Sequence, residues 1–304
     1  MTMPQPDEFG LTKSRGTLLS QRVAVVTGAG RGIGEAIALG LARNGANLVL
    51  ASRTLSELKQ VAEEGKGLGS HMLVQECDVS SEAEVQMLMK RAIEAYGRLD
   101  VLVNNAGALG PIGPLEGNDT SKWMDAVKVN LLGVFLCCKY AIPHMKRQNW
   151  GRIINLSGAG APVPYPWFSA YSASKTAILG LTQTLAEEVR EYGIQVNAIA
   201  PGLTNTRLQD EIISAGELAG ASYQRAKDAK DKGGADPKNV ADLATFLSSD
   251  AAKGITGRFF SSRWDDWQML GDASKLNEFI GSDMYTIRRI DGVFFGPLRG
   301  AHKK

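Results

Sequence analysis

The sequence predicts an α/β protein, a doubly wound parallel sheet with helices on both faces. Three observations point there. Short runs rich in Val, Ile and Leu alternate with segments of helical period. Those runs are apolar throughout, as strands buried on both faces are. The first of them passes through a glycine-rich turn straight into a helix, and such strand–helix alternation implies right-handed crossovers and parallel strands.

Each element follows from this pattern in order. Strands are expected at Arg22–Thr27, Asn47–Ala51, His71–Cys77, Leu99–Val103, Arg152–Leu156 and Ile194–Ala200, with a last one at Ile255–Ser261. Helices fall between them, at Glu35–Ala42, Ala83–Ala95, the apolar Val129–Met145 stretch, Ser169–Arg190 and Asn239–Leu247, the last behind Pro237. Residues 203–234 are polar and alanine-rich and predict a mobile loop. Residues 1–20, with Pro4, Pro6, Gly10 and Gly16, form a loose arm; residues 21–260 form a single domain; residues 261–304 are a C-terminal extension rich in Trp, Asp and Arg. Trp264 and Trp267, three apart, would expose much apolar area unless both pack on the domain.

Composition narrows the function. In 304 residues, 44% are apolar and 22% charged, the balance of a folded soluble chain. Lys and Arg number 34 against 32 acidic residues, so no basic field favours nucleic acid or an anionic membrane. The clusters Arg288-Arg289 and His302-Lys303-Lys304 read as solvated charge. The longest uncharged run, Ile153–Ser174, carries Pro162, Pro164 and Pro166, which a membrane span would not. Cys77, Cys137 and Cys138 read as buried free thiols, and His71, His144 and His302 have no metal-ligand spacing, so no metal is expected. MTMPQPDEFG resembles no targeting signal, which predicts a cytoplasmic protein.

The glycine turn is Thr27-Gly-Ala-Gly-Arg-Gly-Ile-Gly34. Between strand and helix, such a loop lets backbone N–H groups approach a pyrophosphate at a helix N-terminus. No Gly-Lys-Ser/Thr follows, which excludes a Walker loop. Further on, Tyr171 and Lys175 stand one helical turn apart on one face. An unperturbed phenol titrates at ~10, too high for a base at neutral pH. A neighbouring ammonium favours the phenolate, so the pair can exchange a proton with a carbonyl or alcohol.

These motifs, with Asp78-Val79, Asn104-Asn-Ala-Gly107, Asn130, Tyr171-Ser-Ala-Ser-Lys175 and Pro201-Gly202 with Thr206, resemble the short-chain dehydrogenase/reductase family over about residues 20–260. Arg31, where the extended branch has glycine, points to the short single-domain branch. The resemblance implies a Rossmann-type fold and a ketone–secondary alcohol oxidoreductase on a small-molecule substrate. It also implies a homodimer or homotetramer, for which Val129–Met145 offers a face. It implies that Gly28, Arg31, Gly32, Ile33 and Gly34 hold a nicotinamide dinucleotide. Asp78 and Val79 would flank its adenine, with Asn105, Ala106 and Gly107 on the ribose side. Tyr171 and Lys175 would touch it too, as would Pro201, Gly202, Leu203 and Thr206 toward the nicotinamide and phosphates. Asn130 would support a water that relays protons to Lys175.

Cofactor choice is read from the end of the second strand. An acidic residue ~20 positions after the glycines would hold the 2′-hydroxyl of NAD. Here Ser52 stands in that place and Arg53 follows, with Arg31 as a second cation. Guanidinium groups clamp a 2′-phosphate, so NADP is expected over NAD.

One family mark is displaced. The serine that would polarise the carbonyl belongs at Gly158, and the strand reads Asn155-Leu-Ser157-Gly158. Either the backbone bulges and Ser157 serves, which is favoured, or this hydrogen bond is missing, since a one-residue slip turns a strand side chain to the other face. No G-x-S-x-G surrounds Ser157, so a hydrolase elbow fails. The alternative function is a cofactor-binding scaffold of the same fold with weak turnover.

Overall fold

The structure is a computed structural model that describes residues 18–287, apart from 159, 162 and 205. Seven strands form one parallel sheet: β1 (Val23–Thr27), β2 (Asn47–Ser52), β3 (Met72–Glu76), β4 (Val101–Asn104), β5 (Gly151–Leu156), β6 (Ile194–Ala200) and β7 (Phe259–Ser261), in the order β3-β2-β1-β4-β5-β6-β7. The order reverses between β1 and β4, which pair from Ala24–Val101 to Val26–Val103. A crevice opens at such a switch point, beyond the carboxyl ends of the strands.

Alternation along β1 feeds two cores. Ala24 and Val26 pack with α1 (Gly32–Arg43), α2 (Leu55–Glu64) and α9 (Pro237–Ser248). Val25 faces α3 (Glu82–Tyr96), α5 (Gly133–Gln148) and α6 (Ser169–Glu188). The fold class is as expected, and most strands lie within two residues of their expected bounds. β7 is shorter, because Gly254 and Gly257 hold positive φ of 95° and 70° and keep the preceding residues in turns.

Four expectations change. The expected mobile loop contains helices α7 (Arg207–Ala215) and α8 (Ala221–Lys232), which bury Ile212 and Ala226 against Leu109, Phe168 and Tyr171. Its apolar stripe is too narrow and too interrupted by Gly216 and Gly220 to stand out in sequence. The arm ends sooner than expected, since Leu19 is buried in the core and its N–H bonds the Asn44 carbonyl at 2.9 Å; residues 1–17 lie outside the described residues. Only one of the paired tryptophans packs: Trp267 is 5% exposed and Trp264 76%. A short 3₁₀ turn, Trp267–Gly271, followed by α10 (Ala273–Ile280) places Trp267, Leu270 and Phe279 in the same core cluster as β1. The fourth change concerns the serine and is given below. The basic clusters at 288–289 and 302–304 lie outside the described residues.

Thr120–Gln148 has the length and apolarity of a membrane-crossing helix. It comprises α4 (Thr120–Val127), a π-helical turn (Lys128–Leu132) and α5, and buries Val134, Leu136, Cys137, Ala141 and Met145 in the second core, as the core helix of a globular domain does. Its outer side leaves Met124, Leu132 and Phe135 exposed. Cys77, Cys137 and Cys138 are buried free thiols, and burial pushes Cys77 and Cys138 up to about 12.

Candidate active site

The crevice above β1 and β4 is built by side chains that tie the two strands together. Thr27 ends β1, and its hydroxyl accepts the N–H groups of Asn105 and Ala106 at 3.1 and 3.2 Å. Asn105 in turn donates to the carbonyls of Thr27 and Gly28, both at 3.0 Å. One strand further, Asn104 donates to Asn155 at 2.9 Å, and Asn155 to Thr182 on α6, also at 2.9 Å. Sequence reading gave no role to Thr27, Asn155 or Thr182, because only the fold makes them neighbours.

The glycine loop fits a dinucleotide. Gly28 and Gly32 take left-handed φ of 62° and 60°, and a Cβ at Gly34 would collide with the Gly28 carbonyl. The bare backbone therefore delivers the N-terminus of α1, with its positive dipole end, to the cavity. Lining the cavity of about 750 Å³ are Gly28, Arg31, Gly32, Ile33 and Gly34; Ser52 and Arg53; Asp78 and Val79; Asn105, Ala106 and Gly107; and Ser157, Tyr171, Lys175, Pro201 and Thr206. Three expected residues, Asn130, Gly202 and Leu203, lie outside that lining. Glu57, Lys122, Leu208, Gln209 and Lys230 join it unforeseen. Of these only Glu57 carried a signal, three residues after Thr54 at a helix start.

Tyr171 and Lys175 leave α6 side by side, Nζ 5.8 Å from the ring centre, both buried. Burial pulls the Lys175 ammonium down to about 8. Nζ donates to the Leu156 carbonyl at 2.7 Å. Burial, and secondarily the nearby Tyr165, push the Tyr171 phenol well above its ordinary value. The neighbouring ammonium is expected to lower this pKa, and burial among Tyr165, Phe168 and Leu109 outweighs it.

Asn130 is fully buried in the π-helical turn. Its oxygen accepts the Ala108 N–H at 2.8 Å, and its amide donates to the Ala108 carbonyl at 2.8 Å and to Ser174 Oγ at 2.9 Å. Both amide protons are thus committed to protein. Asn130 lies behind Gly107, where a Cβ would stand 3.3 Å from Asn130 Oδ1 and 3.5 Å from Lys175 Nζ.

Ser157 does not present its proton to the cavity. Its hydroxyl donates to the Lys175 carbonyl at 3.1 Å and is 2% exposed. The backbone makes no bulge there: Ser157 N–H continues the β6 ladder to the Ile199 carbonyl at 2.8 Å. Regular pairing turns the next residue, Gly158, toward the tyrosine, and a Cβ at 158 would collide with the Tyr171 hydroxyl.

A family model described as short chain dehydrogenase matches residues 22–216. The chain belongs to the short-chain dehydrogenase/reductase family. Among the relatives of this chain, a short chain dehydrogenase/reductase, astE, of Aspergillus oryzae is 39% identical over 241 residues, covering 79% of this chain and 92% of that one. A cis-4-hydroxycyclohexanecarboxylate dehydrogenase of Sinomonas cyclohexanicum is 38% identical over 246 residues, covering 80% and 95%. The crystal structure of an NAD+-bound xylitol dehydrogenase superposes with a TM-score of 0.74 at 27% identity, over 80% of this chain and 98% of that one. Family membership makes the chain an oxidoreductase and indicates a nicotinamide cofactor.

Proposed function

We propose that the protein is an NADP(H)-dependent oxidoreductase that interconverts a ketone and a secondary alcohol, with Tyr171 as the acid/base. The supporting observation is that Tyr171 and Lys175, buried and one turn apart, share one cavity with the glycine loop. When bound, a nicotinamide supplies or accepts hydride. Tyr171 donates its phenolic proton to the carbonyl oxygen as the carbonyl carbon is reduced, and takes it back in oxidation. Its raised pKa keeps it in the donor form at neutral pH, which suits the reductive direction. Lys175, charged below about pH 8, faces the negative charge that develops on the tyrosine oxygen and also holds the Leu156 end of β5. Asn130 positions the Ala108 backbone beside them and supports the proton path. The test is NADPH consumption over a panel of ketones and aldehydes; cofactor binding without turnover on any of them would support the scaffold reading, which Gly158 at the family's serine position favours. The resemblance further suggests a homodimer or homotetramer, whose contact would cover Met124, Leu132 and Phe135, and the N-terminal sequence suggests the cytoplasm.

Ser157 is assigned a structural role. Ser157→Ala should change kcat by less than ~3-fold, far from the 10²–10³ that losing an oxyanion donor costs. It should lower stability by about 1 kcal/mol, the worth of one buried hydrogen bond. A kcat loss of two orders in steady-state assays would restore the serine to the reaction.

The NADP preference rests on Arg53 and Ser52, which line the ribose end of the cavity. Ser52→Asp combined with Arg53→Ala should reverse the ratio of kcat/KM for NADPH and NADH. A wild-type enzyme that favours NADH would refute the preference.

A further inference from the structure

At the outer end of the cavity a carboxylate stands where the cofactor reading needs cations. Glu57, in the first turn of α2, places Oε1 2.5 Å from Arg31 Nη1. Its other oxygen lies over the loop: a Cβ on Gly30 would meet Glu57 Oε2 at 3.1 Å and Ser52 Oγ at 3.2 Å. Arg31, Ser52, Arg53 and Glu57 thus surround one corner of the cavity. No ion pair of Arg53 is found among the described residues, whereas Arg31 is already neutralised.

We propose that Glu57 is a cofactor-selecting residue that makes this corner serve both dinucleotides. Toward a ribose 2′-hydroxyl, Glu57 is an acceptor, doing from α2 what an acidic residue at the end of β2 would do. Toward a 2′-phosphate, which carries about −1.5 to −2 charges, Glu57 is a like charge that also holds Arg31. Phosphate binding therefore needs Arg31 to exchange one anion for another, and Glu57 to swing away. Of the two guanidinium groups at this corner, Arg53, with no ion pair among the described residues, meets the phosphate without such an exchange. The inference rests on the reading that the 2′ group is bound here, and it sets how strong the NADP preference can be.

Calorimetric titration of the full chain with adenosine 2′,5′-bisphosphate and with 5′-AMP isolates this corner from catalysis. Glu57→Gln should tighten the bisphosphate roughly tenfold, the scale of freeing one charge-assisted contact to phosphate. It should loosen 5′-AMP by about two- to threefold, as one ribose hydrogen bond is weakened. Arg31→Ala in the Glu57→Gln background should abolish the gain, because the released guanidinium carries it. A bisphosphate-to-AMP ratio that moves less than twofold, or falls, overturns the proposal, as does a gain that survives loss of Arg31. The wild-type ratio tests the NADP preference separately: wild type favouring 5′-AMP would refute that preference while leaving the Glu57→Gln shift to decide this one. Glu57 is partly exposed and surrounds no core, so the variant folds.

Discussion

Tyr171→Phe is expected to lower turnover by at least the ~10²–10⁴-fold typical of general acid–base catalysis, while cofactor affinity stays within a few-fold of wild type. The variant is conservative in every other respect. Tyr171 packs by its ring, 6.4 Å from the Tyr165 ring and among Phe168, Leu109 and Ile212, and phenylalanine keeps that packing. The hydroxyl makes no hydrogen bond to another described residue, so its loss strands no partner. What disappears is the phenolic proton held in the cavity beside Lys175. Loss of kcat with an unchanged melting temperature would locate the effect in chemistry; near-normal turnover would sink the mechanism.

Removal of the C-terminal extension is expected to be the most damaging change to stability. Truncation after Ser262 should give no soluble folded protein, and Phe279→Ala in the full chain should cost about 3–5 kcal/mol, lowering Tm by roughly 10 °C. The Phe279 ring lies tilted 5.8 Å from that of Phe260 of β7, and Trp267 lies 5.6 Å from Phe246 of α9. Arg258 donates to the carbonyls of Ile280, Ser282 and Met284, satisfying the end of α10 with a guanidinium that truncation would strand. The Phe259 N–H of β7 gives its hydrogen bond to the Tyr285 carbonyl at 2.7 Å, so the extension also covers the outer edge of the sheet. Thermal melts followed by circular dichroism test both, and a truncated chain with full-length Tm would contradict this assignment.

By itself, the sequence determined the parallel sheet, the glycine loop at its first turn, and the pairing of Tyr171 with Lys175. These are local matters: strand hydrophobicity, a turn without Cβ atoms, and a four-residue helical spacing are all written in adjacent residues. What the tertiary structure alone decided depends on distant contacts. Ser157 and Gly158 differ by one position, and only the unbroken pairing of β5 with β6 settles which faces Tyr171. Trp264 and Trp267 look equivalent in sequence, yet one meets Phe246 and the other solvent. The helices at 207–232 hid behind a polar, glycine-broken stretch whose few apolar residues matter only once Tyr171 and Phe168 give them something to cover. The charge at the corner lined by Arg31, Ser52, Arg53 and Glu57 follows the same rule. Arg31 reads as a free cation until the fold brings Glu57, 26 residues away, against it, and electrostatics depend on distance in space rather than along the chain.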